Sequence, residues 1–197
     1  MDEKVRALLQ ENNGVLKLSD AKAAGIPAKT LQRLAVSGEL ERISHGLYLD
    51  KDCVEDEYFT AQYKCEKGIF SHETALYFHE LSDRTPLQLM MTIPSGHNSR
   101  LLKEKGKYKF FYCKPELWEV GIMTALSPQG HELRLYNKER TLCDCIKKRN
   151  ALDDDLVLSA VKQYMREKGN DYARLLAYAE LFGMAGNCIV TKKSVTL

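Results

Sequence analysis

No Cys-x-x-Cys pair occurs in the chain, and no apolar run approaches the roughly 18 residues needed to cross a bilayer. The first absence argues against the usual zinc site and the second against a membrane-spanning helix. A glycine-rich phosphate loop is missing too: Pro94-Ser-Gly-His-Asn-Ser is not followed by Lys-Ser or Lys-Thr. Nor is there an excess of charge. A formal net charge of +2 does not imply indiscriminate polyanion binding, so any DNA affinity must be organised locally. The opening Met-Asp-Glu-Lys lacks the basic-then-apolar pattern of a secretion signal, from which a cytoplasmic protein is expected.

Six scattered cysteines are then expected to be reduced and buried or half-buried. Cys143 and Cys145, the closest two, would point about 200 degrees apart on a helix and so cannot chelate one metal from one face. His72 and His79 share a helical face at seven-residue spacing, but no third ligand stands at a suitable spacing. His79 therefore reads as a packing or surface residue. No metal and no cofactor are expected.

What is present begins with Leu18 to Tyr48, which reads as two short helices, a glycine turn and a β-hairpin. That order is a winged helix-turn-helix. Ser19 or Asp20 suits a helix N-cap, Gly25 ends the first helix, and Pro27 suits the first turn of the second. Within that second helix, Ala28 to Ser37, Leu31 and Leu34 form the buried stripe and Lys29, Gln32, Arg33 and Val36 the opposite side. Leu40, Ile43, Leu47 and Tyr48 bracket the turn Ser44-His45-Gly46, which makes the wing. A leading helix through Val5, Leu8 and Leu9 completes the small core before Asn12-Asn13-Gly14 breaks it.

Charge alone would not find this domain, since seven cations in residues 1–50 face seven acids. A helical hairpin that docks protein is the competing reading, because winged helices also serve that role. If the domain binds DNA, Lys29, Thr30, Gln32 and Arg33 enter the major groove, where Arg reads guanine and Gln reads adenine. Arg42, Ser44 and His45 on the wing, with Lys22, then hold phosphates or a minor-groove edge. Arg33 pairing with Glu39 or Glu41 would defeat that assignment.

Asp50-Lys51-Asp52 is the expected boundary, giving a winged domain over 1–50 and an α+β domain over 51–197. In the latter, helices are expected around Tyr58 to Tyr63 and from Glu73 to Leu81, the second capped by Ser71. Strands are expected over Leu87 to Ile93, Tyr108 to Tyr112, Gly121 to Leu126 and His131 to Tyr136, the last two joined as a hairpin. Three later helices, from Lys138 to Lys148, around Leu156 to Met165 and around Tyr172 to Phe182, would cover one face of this small sheet. The tail from Asn187 reads as an edge strand or as disordered. Arg100, Lys103, Lys105, Lys107 and Lys109 form a second basic segment, with Lys107 and Lys109 pointing outward together. It is a solvated loop, an extension of a DNA footprint or a partner contact.

Five short motifs occur in order: Gly-Ile-x-x-x-x-Leu-x-Arg-Leu (Gly25 to Leu34), Gly-x-Leu-x-Arg (Gly38 to Arg42), Gly-Leu-Tyr (Gly46 to Tyr48), Ser-His-Glu-Thr-Ala-Leu (Ser71 to Leu76) and Glu-Arg-Thr-Leu-x-Asp (Glu139 to Asp144). Together they resemble the AbiEi antitoxins of type IV toxin–antitoxin, or abortive infection, systems. The resemblance implies a cytoplasmic repressor of its own operon that binds double-stranded operator DNA carrying inverted repeats. It also implies a second domain that counteracts a nucleotidyltransferase-like toxin, with or without direct contact. No catalytic set is legible. Ser71 and His72 have no evident third partner, and Glu139, Arg140 and Asp144 read as a helix start with Arg140 bridging carboxylates. The alternative is a regulator whose second domain binds a metabolite, for which a buried polar pocket would speak.

Overall fold

A computed structural model describes residues 2–184. The reading of the tail from Asn187 lies outside the described residues, as does Cys188. The chain divides into two compact units, one of residues 1–66 with 126–133 and one of residues 67–125 with 134–197.

The first unit runs α1 (Glu3–Glu11), β1 (Val15–Lys17), α2 (Leu18–Ala23), α3 (Ala28–Val36), β2 (Leu40–Ser44), β3 (Leu47–Asp50) and α4 (Glu57–Lys64). The α1-β1-α2-α3-β2-β3 order is that of a winged helix-turn-helix. Its antiparallel sheet has the order β1-β3-β2, so a strand absent from the sequence reading, β1, pairs with the wing through Val15 opposite Leu49.

Alternation along these strands splits their side chains between two faces. Leu16, Leu40 and Tyr48 join Val5, Leu9, Ala21, Leu31 and Leu34 in the core under the helices. Val15, Leu47 and Leu49 take the other face, where Phe59 and Tyr63 of α4 pack on them. The consecutive apolar residues of β3 are thus accounted for, because both faces of this sheet are covered. The first unit consequently extends past Asp50.

Two cap assignments are corrected. Lys17, not Ser19 or Asp20, precedes α2, and Ser19 Oγ donates instead to Asp20 Oδ1 at 2.8 Å. Pro27 sits just before α3 and Ser37 just after it. A buried bond set closes the unit. Asp56 caps α4 through the N–H groups of Tyr58 and Phe59, while its Oδ2 accepts from Ser127 Oγ (2.5 Å) and His131 Nδ1 (2.6 Å). Both polar hydrogens end on the carboxylate, so serine and histidine do not form a nucleophile and base.

The second unit contains β4 (Ile69–Phe70), α5 (His72–Phe78), β5 (Leu89–Pro94), a 3-10 turn over Arg100–Lys103, β6 (Tyr108–Cys113), α6 (Pro115–Trp118), β7 (Ile122–Leu126), β8 (Glu132–Tyr136), α7 (Lys138–Lys147), a short 3-10 turn over Arg149–Ala151, α8 (Asp154–Arg166) and α9 (Tyr172–Leu181). The turn between β7 and β8 counts with the first unit. Five strands lie in the order β6-β5-β4-β8-β7; β4 is antiparallel to β5 and parallel to β8, and β5 is parallel to β6. The expected four thus gain the two-residue β4, too short to show a period.

Helix cover on one face was expected, yet β5 is buried at all six positions and must be covered on both. Helix α5 ends at Phe78, three residues before the expected Leu81. Cys143 packs with Ala179 and Phe182, while Cys145 packs with Leu76 and Leu156, the opposed directions that helical geometry demands. Arg140 bridges one carboxylate and not two: Nε donates to Asp144 Oδ2 at 2.8 Å, and Nη1 donates to the carbonyls of Leu117 and Val120. Glu139 instead accepts from the Tyr164 hydroxyl at 2.9 Å.

His72 and His79 are both buried in this unit. Burial, helped by Arg140, Lys109 and Lys148, pushes His72 down to about 3. His79 is also lowered, chiefly by burial, although its bond to the Tyr136 carbonyl opposes the shift. Folded-state values below the unfolded value near 6.5 mean that the unfolded chain takes up protons first. Stability is therefore complete above about pH 6.5 and falls below it, by up to about 1.4 kcal/mol per pH unit for each histidine. Urea unfolding is expected to show a lower midpoint at pH 5 than at pH 7.5, with His72→Phe narrowing the difference.

Candidate nucleic-acid interface

Helix α3 puts Leu31 and Leu34 into the core, which fixes the direction of everything else on it. Lys29, Gln32, Arg33 and Val36 follow the i, i+3, i+4, i+7 spacing of a single face, and all four are exposed. Thr30 lies to the side and is half-buried. Arg33 makes no ion pair with Glu39 or Glu41 among the described residues; Glu39 Oε1 accepts from Ser37 Oγ at 3.0 Å. The turn before α3 depends on Gly25, whose φ of +77° few side chains tolerate.

The wing is ordered by its own contacts. Arg42 Nη2 donates to His45 Nδ1 at 3.2 Å, which leaves the ring hydrogen on Nε2 at an exposed tip. Behind the tip, the Tyr63 hydroxyl donates to the His45 carbonyl at 3.3 Å. Gly46 adopts φ +76°, and an added Cβ would stand 3.0 Å from that hydroxyl. Glycine therefore meets both a conformational and a steric demand there. Ser44 is half-buried at the end of β2, and Lys22 is exposed in the last turn of α2.

The structure thus gathers Lys22, Lys29, Thr30, Gln32, Arg33, Arg42, Ser44 and His45 in the first unit. Val36, which is 90% exposed at the end of the α3 stripe, had been placed on that face without a role. Its apolar surface suits a thymine methyl group.

Arg100, Lys103, Lys105, Lys107 and Lys109 belong to the second unit. The first four are exposed, but the outward pairing of Lys107 with Lys109 is wrong. Lys109 is half-buried, its Nζ donating to the Ala151 carbonyl and lying 5.7 Å from the Phe111 ring centroid. Lys107 precedes β6 and lies 5.9 Å from the Tyr108 ring, so strand alternation does not align the two.

Residues 3–49 match a family model described as a transcriptional regulator, AbiEi antitoxin. That stretch of the winged domain is similar to this family. The matched stretch ends within β3 and takes in α1 to α3 with most of the hairpin. No curated protein matches the chain. Among the described residues no helix is long and apolar enough to cross a membrane, and no group of three or more histidine, cysteine or acidic residues stands ready for a metal.

Proposed function

We propose that the chain is a sequence-specific DNA-binding repressor of the operon that encodes it and the cytoplasmic antitoxin of a type IV toxin–antitoxin pair. In this reading it counteracts a nucleotidyltransferase-like toxin and serves defence against phage. The observation that carries the DNA half is the exposed stripe of Lys29, Gln32, Arg33 and Val36 on α3, without an acidic partner among the described residues, beside a wing ordered by Arg42 and His45. The match to AbiEi regulators supports the toxin half.

Arg33 and Gln32 would read base edges, while Lys29 and Thr30 flank them in the groove. Arg42, Ser44, His45 and Lys22 would hold the backbone. Operator DNA with inverted repeats would seat two copies. Arg33→Ala is expected to lose about 1–3 kcal/mol of preference for operator over unrelated DNA. Arg42→Ala should weaken binding to both and reduce the salt slope by about one unit. Fluorescence anisotropy on DNA upstream of the gene, across a salt series, reads both effects. Equal operator affinity for the parent and both variants removes the assignment. Co-expressing Arg33→Ala with the nucleotidyltransferase-like toxin of this proposal would separate repression from toxin protection.

A ligand-responsive regulator is the second reading. One observation favours it: within the second unit, a cavity of about 240 Å³ is lined by the buried polar residues His72, Thr92 and Arg140 together with exposed lysines.

A further inference from the structure

Ser71 occupies the position before α5, where its hydroxyl would be expected to cap the helix, yet it makes no such bond. Thr92 Oγ1 donates to Ser71 Oγ at 2.9 Å, and Ser71 Oγ lies 2.8 Å from His72 Nδ1. We assign the serine hydrogen to Nδ1, an acceptor within reach while Thr92 donates to Ser71. The ring hydrogen of His72 is thereby placed on Nε2.

That nitrogen is buried and has no hydrogen-bond partner. The ring stacks on Phe111 at 3.6 Å and 16°, so it cannot swing to find one without losing the stack. His72 also holds φ +51°, in the left-handed region that a non-glycine residue rarely adopts. A residue only 2% exposed thus keeps a donor unspent where a buried polar group normally finds a partner.

His72 and Phe111 line the 240 Å³ cavity together with Lys114, Lys147 and Lys148. Arg140 and Asp144 also border it and neutralise each other across 2.8 Å. Three lysine charges remain. Lys147 Nζ donates to the neutral Phe182 carbonyl, and Lys114, Lys147 and Lys148 have no ion pair among the described residues. A neutral N–H donor beside a surplus of cations selects a multiply charged anion, and lysine is a common phosphate ligand. The volume falls below the roughly 300–1,000 Å³ of sites for drug-sized molecules, so the ligand is small.

We propose that this cavity of the second unit binds a small phosphate-bearing anion, with His72 Nε2–H donating to a phosphate oxygen and Lys114, Lys147 and Lys148 balancing its charge. The inference concerns binding alone and stands whether or not the chain binds DNA.

Isothermal titration calorimetry of the full chain in phosphate-free chloride buffer at pH 7.5 tests it, with inorganic phosphate and phenyl phosphate as probes. Saturable binding of one equivalent is expected. His72→Phe, which keeps the ring stack and deletes the donor, should weaken it by about tenfold or more. Lys148→Ala, at an exposed position that folding does not require, should also weaken it. Lys162→Ala, an exposed lysine of α8 outside the lining, should bind as the parent does. Tighter binding of phenyl phosphate identifies an organic phosphate that uses the aromatic wall; equal or tighter binding of inorganic phosphate identifies the free ion. No saturable binding of either probe overturns the proposal, as does affinity unchanged in both His72→Phe and Lys148→Ala.

Discussion

Replacing Arg140 with alanine is expected to destabilise the second unit by about 3–5 kcal/mol, the usual cost of removing one partner from a buried ion pair. Arg140 is 1% exposed, and its guanidinium carbon lies 4.3 Å from the Tyr136 ring centroid and 4.2 Å from that of Phe182. Alanine would leave a void between two aromatic rings, two carbonyls without their donor and Asp144 without its countercharge. Burial already holds the Asp144 carboxyl above its ordinary value despite Arg140, so the loss cannot be repaired by a well-solvated carboxylate. Arg140→Lys should recover only part of the stability, because an ammonium lacks the planar fork that serves the carboxylate and both carbonyls. Urea midpoints for the three proteins measure this. A midpoint for Arg140→Ala equal to that of the parent would refute the account.

Leu31→Ala should cost about 2–5 kcal/mol, because a fully buried leucine is removed from a core that the small winged unit cannot easily collapse. Leu31 is 0% exposed and packs among Val5, Leu16, Ala21 and Leu34. Since Leu31 sets the direction in which α3 faces, the proposed DNA affinity should fall for every sequence at once. Gln32→Ala, one residue away and exposed, should change the melting curve by no more than about 0.5 kcal/mol. In the proposed DNA-binding role its effect is expected in sequence preference. Thermal unfolding beside anisotropy separates the two, and a Leu31→Ala protein with parental stability would show that α3 is not anchored as described.

The winged domain was legible because its information is local. Gly25 with Pro27, the 3.6-residue spacing of Leu31 and Leu34 and the Ser44-His45-Gly46 turn each act within a few residues, and the structure follows them closely. Strand β1 escaped notice because three residues show no period, and its pairing with β3 is a contact at long range. The face of α3 was likewise readable, but freedom of Arg33 from Glu39 and Glu41 had to be seen, since the competing Ser37 bond depends on side-chain rotamers. Lys109 was misread for a similar reason: alternation describes the strand, but Lys107 stands outside β6 and Ala151 draws Lys109 aside.

Periodicity and turn chemistry in the chain by themselves determined the longer helices, the wing and which side of α3 faces outward, because backbone geometry couples residues three, four or two apart. Folding in three dimensions decided that α4 closes the back of the winged sheet and that Thr92, 21 residues from Ser71, turns the Ser71–His72 pair into a chain of three. Such partners are chosen by packing and by the need to satisfy buried donors. Neither requirement leaves a regular spacing in the sequence.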